Sequence, residues 1–454
     1  MAASLLRQVW SHNGLGKAWR VIQENARSSQ SEEVKNEVAR YAEKESTNIR
    51  SLSSRLQRGS FAWPKAKGIP IVKAKKAGQS GPAKIRPIVL APLEARIVQR
   101  STLDALVQVP LLRPYFDNPY SFGGLKRQGA DEFAAVPAAV KAVLSAIENG
   151  GAFIVCADIT GFFTRIPKAN VVKIVTEATR DDDFMQHFGN AIRVELSNMA
   201  ELRGRSSEFP IGEIGVAQGN SLSPLIGNIL LHKFDSYMND GDCRCVRYID
   251  DFTIIAPTRQ AAAARLKRAR TILSEFGMEL AADKTHLEPV SVDSKFEFLG
   301  IEFCNGLLRP SQAAQSRLLS SVKSVFQDSR RRFIDFRKGA SFPKSASLLS
   351  TLKRADGIIQ GWGKHYFFCN DIMSFKMIDR EVDSIIRGYL GMYADEKSRS
   401  DPSSRRTMLG VESLGAIKLR PFPWPSRTGR VARIATTDLS RDFELTGELS
   451  HSAA

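Results

Sequence analysis

In the stretch Cys245-Val246-Arg247-Tyr248-Ile249-Asp250-Asp251-Phe252-Thr253-Ile254-Ile255-Ala256-Pro257, two adjacent carboxylates interrupt a run of Val, Tyr, Phe, Ile and Thr. The β-branched and aromatic residues on either side read as two short strands. A carboxylate buried among them is costly unless it is paired or bound to a metal. The chain is therefore constrained to a fold in which a hairpin turn presents Asp250 and Asp251 together. A solvated turn meets that constraint by itself, so the rest of the chain has to decide between the two readings.

A second strand bears on the choice. Phe153-Ile154-Val155-Cys156-Ala157-Asp158 is apolar up to its last residue, which is an acid. Two carboxylates at a turn can ligate a hard divalent cation, because Mg²⁺ takes oxygen ligands and is held by one or two carboxylates plus substrate phosphates. A third carboxylate at the end of an adjacent strand would let two metal ions sit about 3.5–4 Å apart and clamp the attacking and leaving oxygens of an in-line phosphoryl transfer. Asp158 is the candidate for that third ligand.

The composition fits a folded chain with a polyanionic partner. At 454 residues and 43% hydrophobic, the chain is long enough for two or three subdomains. Its 65 Lys+Arg against 48 Asp+Glu give a formal charge of +17, which favours nucleic acid and, less specifically, anionic surfaces. Cys156, Cys243, Cys245, Cys304 and Cys369 form no CxxC pair and read as reduced thiols of a cytoplasmic protein. No stretch approaches the roughly 20 apolar residues of a membrane span, and the first twenty residues lack an uninterrupted apolar segment, so neither secretion nor a membrane partner is expected.

Along the chain, Ser31 to about Leu56 carries Val34, Val38, Tyr41 and Ala42 at helical spacing and reads as one amphipathic helix. Between Phe61 and Leu93, seven basic residues and no acid are interleaved with IPIV and IRPIVLAP, which reads as two strands joined by the turn GQSGP. Leu93 to Val109 reads as a buried helix, with another near 130–148. Residues 167–200 look helical, and Asp181, Asp182 and Asp183 read as a solvated helix start. GVAQGNSLSPLIGNILLHKFD is a Gly-rich loop running into a long helix; a helix near 259–276, a turn at Gly277 and FEFLGIEF, taken as one alternating strand, follow. Beyond Pro310 the chain is helical and basic, and from about Lys397 it is Ser/Arg/Pro-rich and reads as an irregular tail. The expected organisation is an N-terminal helical extension (1–60), a central unit (61–305), a helical unit (306–396) and a basic tail (397–454).

Taken in order, KIRPIVLAP, ADITGFF, VAQGNSLSPLIGNILLHKFD, RYIDDF, GMELAADKT, FEFLG and IIQGWGKHY resemble the successive motifs of bacterial reverse transcriptases of the group II intron-like lineage, over about Trp63 to Tyr393. The resemblance implies an α+β right-hand polymerase: fingers, a palm with an antiparallel sheet, and a helical thumb similar to domain X of intron-encoded maturases. It implies an RNA-directed DNA polymerase that uses two Mg²⁺ ions, with Mn²⁺ as a substitute, an RNA template, a DNA primer or product, and deoxynucleoside triphosphates.

Carried over by position, Asp158, Asp250 and Asp251 match the family's catalytic metal-binding triad, and the backbone carbonyl of Ile159 a further metal contact. Phe163 matches the aromatic gate that occupies the space of a ribose 2′-hydroxyl; Phe162 reads as an ordinary core residue. Gln218 matches the glutamine contacting the incoming nucleotide, Arg86 and Lys84 the basic residues that grip its triphosphate, and Lys284 a lysine positioned to protonate the leaving pyrophosphate. Tyr248 falls beneath the primer end, and the aromatic thumb cluster around Trp362 reads as thumb core.

The sequence also departs from the family. Thr164 stands where intron-encoded enzymes commonly carry an acid after the double Phe, and neither a His-Asn-His nuclease signature nor a cysteine cluster follows the thumb motif. These departures favour a stand-alone, defence-associated enzyme copying a dedicated noncoding RNA. A maturase that only binds RNA, and template-independent or protein-primed synthesis as in abortive-infection relatives, are the other readings. Oligomeric state and the role of the tail stay open.

Overall fold

The two acid-bearing strands are partners in one antiparallel sheet. The computed structural model describes residues 4–29, 31–72, 85–125, 135–282, 285–286, 288–412, 414 and 418–422. Its strands are β1 (Lys67–Val72), β2 (Ile85–Leu90), β3 (Phe153–Asp158), β4 (Arg244–Tyr248), β5 (Asp251–Ala256), β6 (Val290–Ser291), β7 (Phe296–Phe298), β8 (Ile301–Cys304) and β9 (Leu307–Pro310). β1 pairs antiparallel with β2, and β7, β8 and β9 form a meander. The central sheet has the order β4-β5-β3-β6, with all pairs antiparallel. This is the α+β architecture expected from the sequence.

The chain divides into two compact units. One holds the residues up to Lys323 together with Gly357–Ile386; the other holds Ser324–Asp356 and the described residues from Arg387 on. In the first unit, the helices Leu5–Trp10, His12–Arg27 and Glu45–Gln57 pack around the buried helix Leu93–Leu106, with Trp19, Leu15, Leu52 and Ile97 at the centre. The central sheet is covered by Ser223–Met238 and Arg259–Glu275 on one side and by Val136–Glu148 on the other. Its strands are buried almost throughout, which is why β3 and β5 read as continuous apolar runs and not as alternating ones. The second unit is helical and built on aromatic packing, with Phe326 stacked on Tyr389 at 4.5 Å and Phe333 edge-on to Tyr393.

Several local expectations change. Ser31 to Leu56 is two helices, Glu32–Ala42 and Glu45–Gln57, because the Asn48 side chain takes the Tyr41 carbonyl (3.0 Å) at the break. FEFLGIEF is a hairpin of β7 and β8, because Leu299 (φ 53°) and Gly300 (φ 77°) form a two-residue turn with both central φ values positive. The helical span expected over 167–200 stops at Ile192, with Asp181 capping its second helix at the Phe184 amide (2.9 Å). The tail opens with a helix, Pro402–Leu409, capped by Asp401 and closed by Gly410 at φ 87°. Tyr366 is core and Trp362 packs half-buried against the same cluster, but that cluster is built on β7, β8 and β9 within the first unit. The GQSGP turn lies outside the described residues. All five cysteines are free, and among the described residues no helix is long and apolar enough to cross a membrane.

His187 joins the N-terminal helices to the rest of the first unit. It is buried among the rings of Trp10, Trp63 and Phe184, and burial lowers its pKa to about 4. The Thr102 hydroxyl donates to the Val98 carbonyl, so His187 Nε2 donates to Thr102 Oγ1 at 2.9 Å and the ring is held neutral. A folded-state pKa below the unfolded value of 6.5 means that the unfolded chain binds the proton first. The contribution of neutral His187 is thus complete above about pH 6.5 and lost as pH falls towards 4. The melting temperature should fall across that window, and His187→Phe should flatten this acid limb; an unchanged pH profile in the variant would assign the limb to other groups.

Candidate active site

The turn between β4 and β5 has two central residues, since Tyr248 pairs with Asp251. Ile249 sits at φ 60°, a conformation that a β-branched residue adopts only under strain and that glycine normally takes at this position of a type II′ turn. The geometry places Asp250 at the tip and Asp251 at the first position of β5. On the neighbouring strand Asp158 lies directly across from Asp251, and the Ile159 amide donates to the Asp250 carbonyl at 3.0 Å.

One carboxylate oxygen from each of Asp158, Asp250 and Asp251 can be chosen so that all three lie within 4.8 Å of one another. Asp158 is buried and the other two are half-buried. Among the described residues this is the group of acidic, His or Cys side chains that can converge on an ion. An all-oxygen set of three like charges suits a hard divalent cation. Burial pushes the pKa of the Cys156 thiol up to about 12, and its Sγ accepts from the Thr253 hydroxyl at 3.6 Å.

The acids open onto a cavity of about 480 Å³ lined by Arg86, Asp158, Ile159, Phe163, Gln218 and Asp250 among others. The structure thus brings together every described candidate except Asp251, which lies beside the cavity through its pairing with Asp158. Lys84 and Lys284 lie outside the described residues. The segment leading to Lys284 is in register with β3: Ile159 bridges Leu280, and the Ala281 amide donates to the Asp158 carbonyl at 2.8 Å. Phe162 is core and Phe163 is half-buried at the cavity wall. The floor under Phe162 depends on Gly227, where a Cβ would lie 2.8 Å from the ring.

Gln218 reaches the cavity by pairing with β2. Its carbonyl accepts from the Val89 amide at 2.9 Å, and its side-chain Oε1 is buried without a hydrogen-bond partner in the protein. A buried acceptor left unsatisfied costs about 1–3 kcal/mol, which a donor on a bound ligand would recover. Gly219 follows at φ 120°, and a Cβ there would stand 2.8 Å from the Val89 carbonyl oxygen. Its close backbone approach is to β2.

Arg247, Asp235 and Asn220 also belong to the site, and no motif in the sequence marks them as such. Arg247 and Asp235 are fully buried partners beneath the turn, and Asn220 binds the Ala191 carbonyl at 2.8 Å beside the cavity. The signal for the first pair was present, as a basic residue inside one apolar strand and an acid inside one apolar helix.

Residues 73–303, just over half of the chain, match the family model described as reverse transcriptase (RNA-dependent DNA polymerase). The chain belongs to the reverse transcriptase family. It is 23% identical over 288 residues to Protein YkfC of Escherichia coli (strain K12), covering 55% of this chain and 70% of YkfC. Among solved structures, a chain of a partial Cas6-RT-Cas1–Cas2 complex is similar at TM-score 0.33 and 18% identity, over 60% of this chain and 43% of that one. Telomerase from Candida albicans, in complex with a TWJ fragment of telomeric RNA, is similar at TM-score 0.38 and 12% identity, over 78% and 62%. The chain spans less than half of the Cas6-RT-Cas1 chain and less than two thirds of the telomerase chain.

Gly219→Ala adds a methyl group where φ is positive and the Val89 oxygen is too near, so it should cost about 1–3 kcal/mol of stability. A urea midpoint equal to that of the parent chain would show that the loop relaxes freely.

Proposed function

We propose that this chain copies an RNA template into DNA, with Asp158, Asp250 and Asp251 as its catalytic carboxylates. The observation that carries the reading is the convergence of these three acids beside a cavity that also holds Arg86, Phe163 and Gln218. In the reaction, the primer 3′-oxygen forms a bond to the α-phosphorus of a deoxynucleoside triphosphate as the bond to the β-bridging oxygen breaks, releasing pyrophosphate. Two Mg²⁺ ions, when held by the three aspartates with the Ile159 carbonyl, supply Lewis-acid polarisation and charge neutralisation. Arg86, exposed at the cavity edge, offers a guanidinium fork to the triphosphate oxygens. Gln218 Oε1 accepts from the incoming nucleotide. The Phe163 ring at the wall takes the space of a 2′-hydroxyl and so selects deoxynucleotides.

Residues 61–305 are read as fingers and palm and 306–396 as thumb. The template is read as a dedicated noncoding RNA and the biological role as antiphage defence; both extend the resemblance in the motifs. Sequencing the nucleic acid that co-purifies with the wild type and with the Asp250/Asp251 double-alanine variant tests this directly. One RNA with both proteins, and complementary DNA with the wild type alone, is the expected result.

Replacement of Asp250 and Asp251 by Ala should abolish primer extension on RNA, by at least about 10³-fold, in a chain that keeps a cooperative melting transition. Extension that persists in the folded variant would sink the assignment of the triad. Phe163→Ala should raise incorporation of ribonucleotides relative to deoxynucleotides by more than about tenfold. A ratio equal to wild type would leave Phe163 as a wall residue only.

A further inference from the structure

A two-residue hairpin turn leaves the carbonyl of its first central residue outside the ladder, and a half-buried carbonyl needs a donor. At the β4–β5 turn that carbonyl belongs to Ile249, the residue in the left-handed conformation. Its donor is Arg247 Nη1, at 3.0 Å.

The guanidinium has no freedom to do otherwise. Arg247 is completely buried, and Asp235, itself 1% exposed, takes Nε and Nη2 through its two carboxylate oxygens at 2.6 Å each. Nη2 also donates to Asn228 Oδ1 at 3.3 Å, and Asn118 Nδ2 donates to Asp235 Oδ2 at 2.6 Å. Asn228 and Asp235 are seven residues apart on Ser223–Met238, hence on one face of that helix. The backbone of Arg247 is pinned as well: its amide donates to the Tyr120 carbonyl and its carbonyl accepts from the Phe122 amide, each at 2.9 Å. The same loop closes on the turn at Gly123, where a Cβ would stand 2.8 Å from Ile249 Cγ1.

We propose that Arg247 is a positioning residue for the reaction centre: clamped by Asp235, it holds the Ile249 carbonyl and thereby fixes the strained turn that aims Asp250 and Asp251 at Asp158. This rests on the reading of the aspartates as the reaction centre. The clamp requires the planar fork, because one edge of the guanidinium, Nε and Nη2, engages the carboxylate while the remaining nitrogen reaches the turn. A lysine ammonium can serve the carboxylate or the carbonyl, not both with the same geometry. The turn's position is reported by a bond outside the clamp, the Ile159 amide donating to the Asp250 carbonyl.

The test uses the full chain and two variants. Arg247→Met combined with Asp235→Leu removes both buried charges at once, avoiding the uncompensated charge that a single replacement leaves. Arg247→Lys keeps the charge opposite Asp235 and loses the fork. In each, the melting temperature, hydrogen exchange at the Ile159 amide without metal, and the kcat and KM of primer extension are measured. The expected result is exchange at Ile159 faster by about tenfold or more, and kcat lower by about 100-fold with KM for the nucleotide little changed, in a variant whose melting temperature stays near that of the parent. Wild-type exchange and kcat in either folded variant overturn the proposal. Should the Asp250/Asp251 double-alanine variant retain synthesis, the polymerase reading of the triad fails, while Ile159 exchange still decides whether Arg247 holds the turn.

Discussion

Three carboxylates drawn to within 4.8 Å repel one another, and the backbone has to bring them to one point against that repulsion. At that separation a pair of full charges repels by about 3–4 kcal/mol at an effective dielectric constant of about 20, and by less for Asp250 and Asp251, which water partly screens. A single backbone hydrogen bond contributes about 1 kcal/mol net, so no one contact can impose the arrangement. The ladder does it collectively. Six registered residue pairs join β3 to β5, the Ile159 and Asp250 backbones are bonded across the turn, and the segment at Leu280 and Ala281 clamps the other side of β3. The strain at Ile249 belongs to the same arrangement, since the tight turn sets Asp250 and Asp251 beside Asp158.

Close approaches around the cavity follow from the need to bring separate segments to one point. Gly219 lets the Gln218 loop lie against β2, Gly227 admits the Phe162 ring to the helix Ser223–Met238, and Gly123 lets the loop after Tyr120 reach Ile249. At each the nearest atom, the Val89 carbonyl oxygen, the Phe162 ring or Ile249 Cγ1, is 2.8 Å from where a Cβ would stand. The glycines therefore set how tightly the cavity is closed, while the apolar strands and helices behind them set how rigid its walls are.

The sheet and the acids were legible because burial on both faces and a terminal carboxylate leave a plain trace in β3 and β5. The buried helix Leu93–Leu106 was legible for the same reason. Features decided by one or two residues were not. The FEFLGIEF hairpin turns on positive φ values at Leu299 and Gly300, and a Leu in that conformation has no sequence signature. The break near Glu43 depends on a side chain of the next helix, Asn48, capturing the Tyr41 carbonyl. Pro402–Leu409 carried a capping pattern, Asp401 before and Gly410 after, hidden by the Ser/Arg bias of its surroundings. No motif in the sequence singles out Arg247, because pairing with Asp235 twelve residues earlier becomes visible only when helix and strand are packed.

The electrostatics of the site and of the chain run in opposite directions, and that opposition is informative. A net charge of +17 draws a polyanion to the protein as a whole, yet the cavity such a polyanion would enter has three carboxylates at its edge. Among the described residues lining the cavity, Arg86, exposed at its rim, is the basic one. Hard divalent ions, which take oxygen from protein and substrate alike, let a phosphate group and a carboxylate share that space. The acids thus give a surface attractive to any nucleic acid one position where a phosphate would meet carboxylates, and hard divalent ions of the kind the proposed chemistry requires can bridge the two.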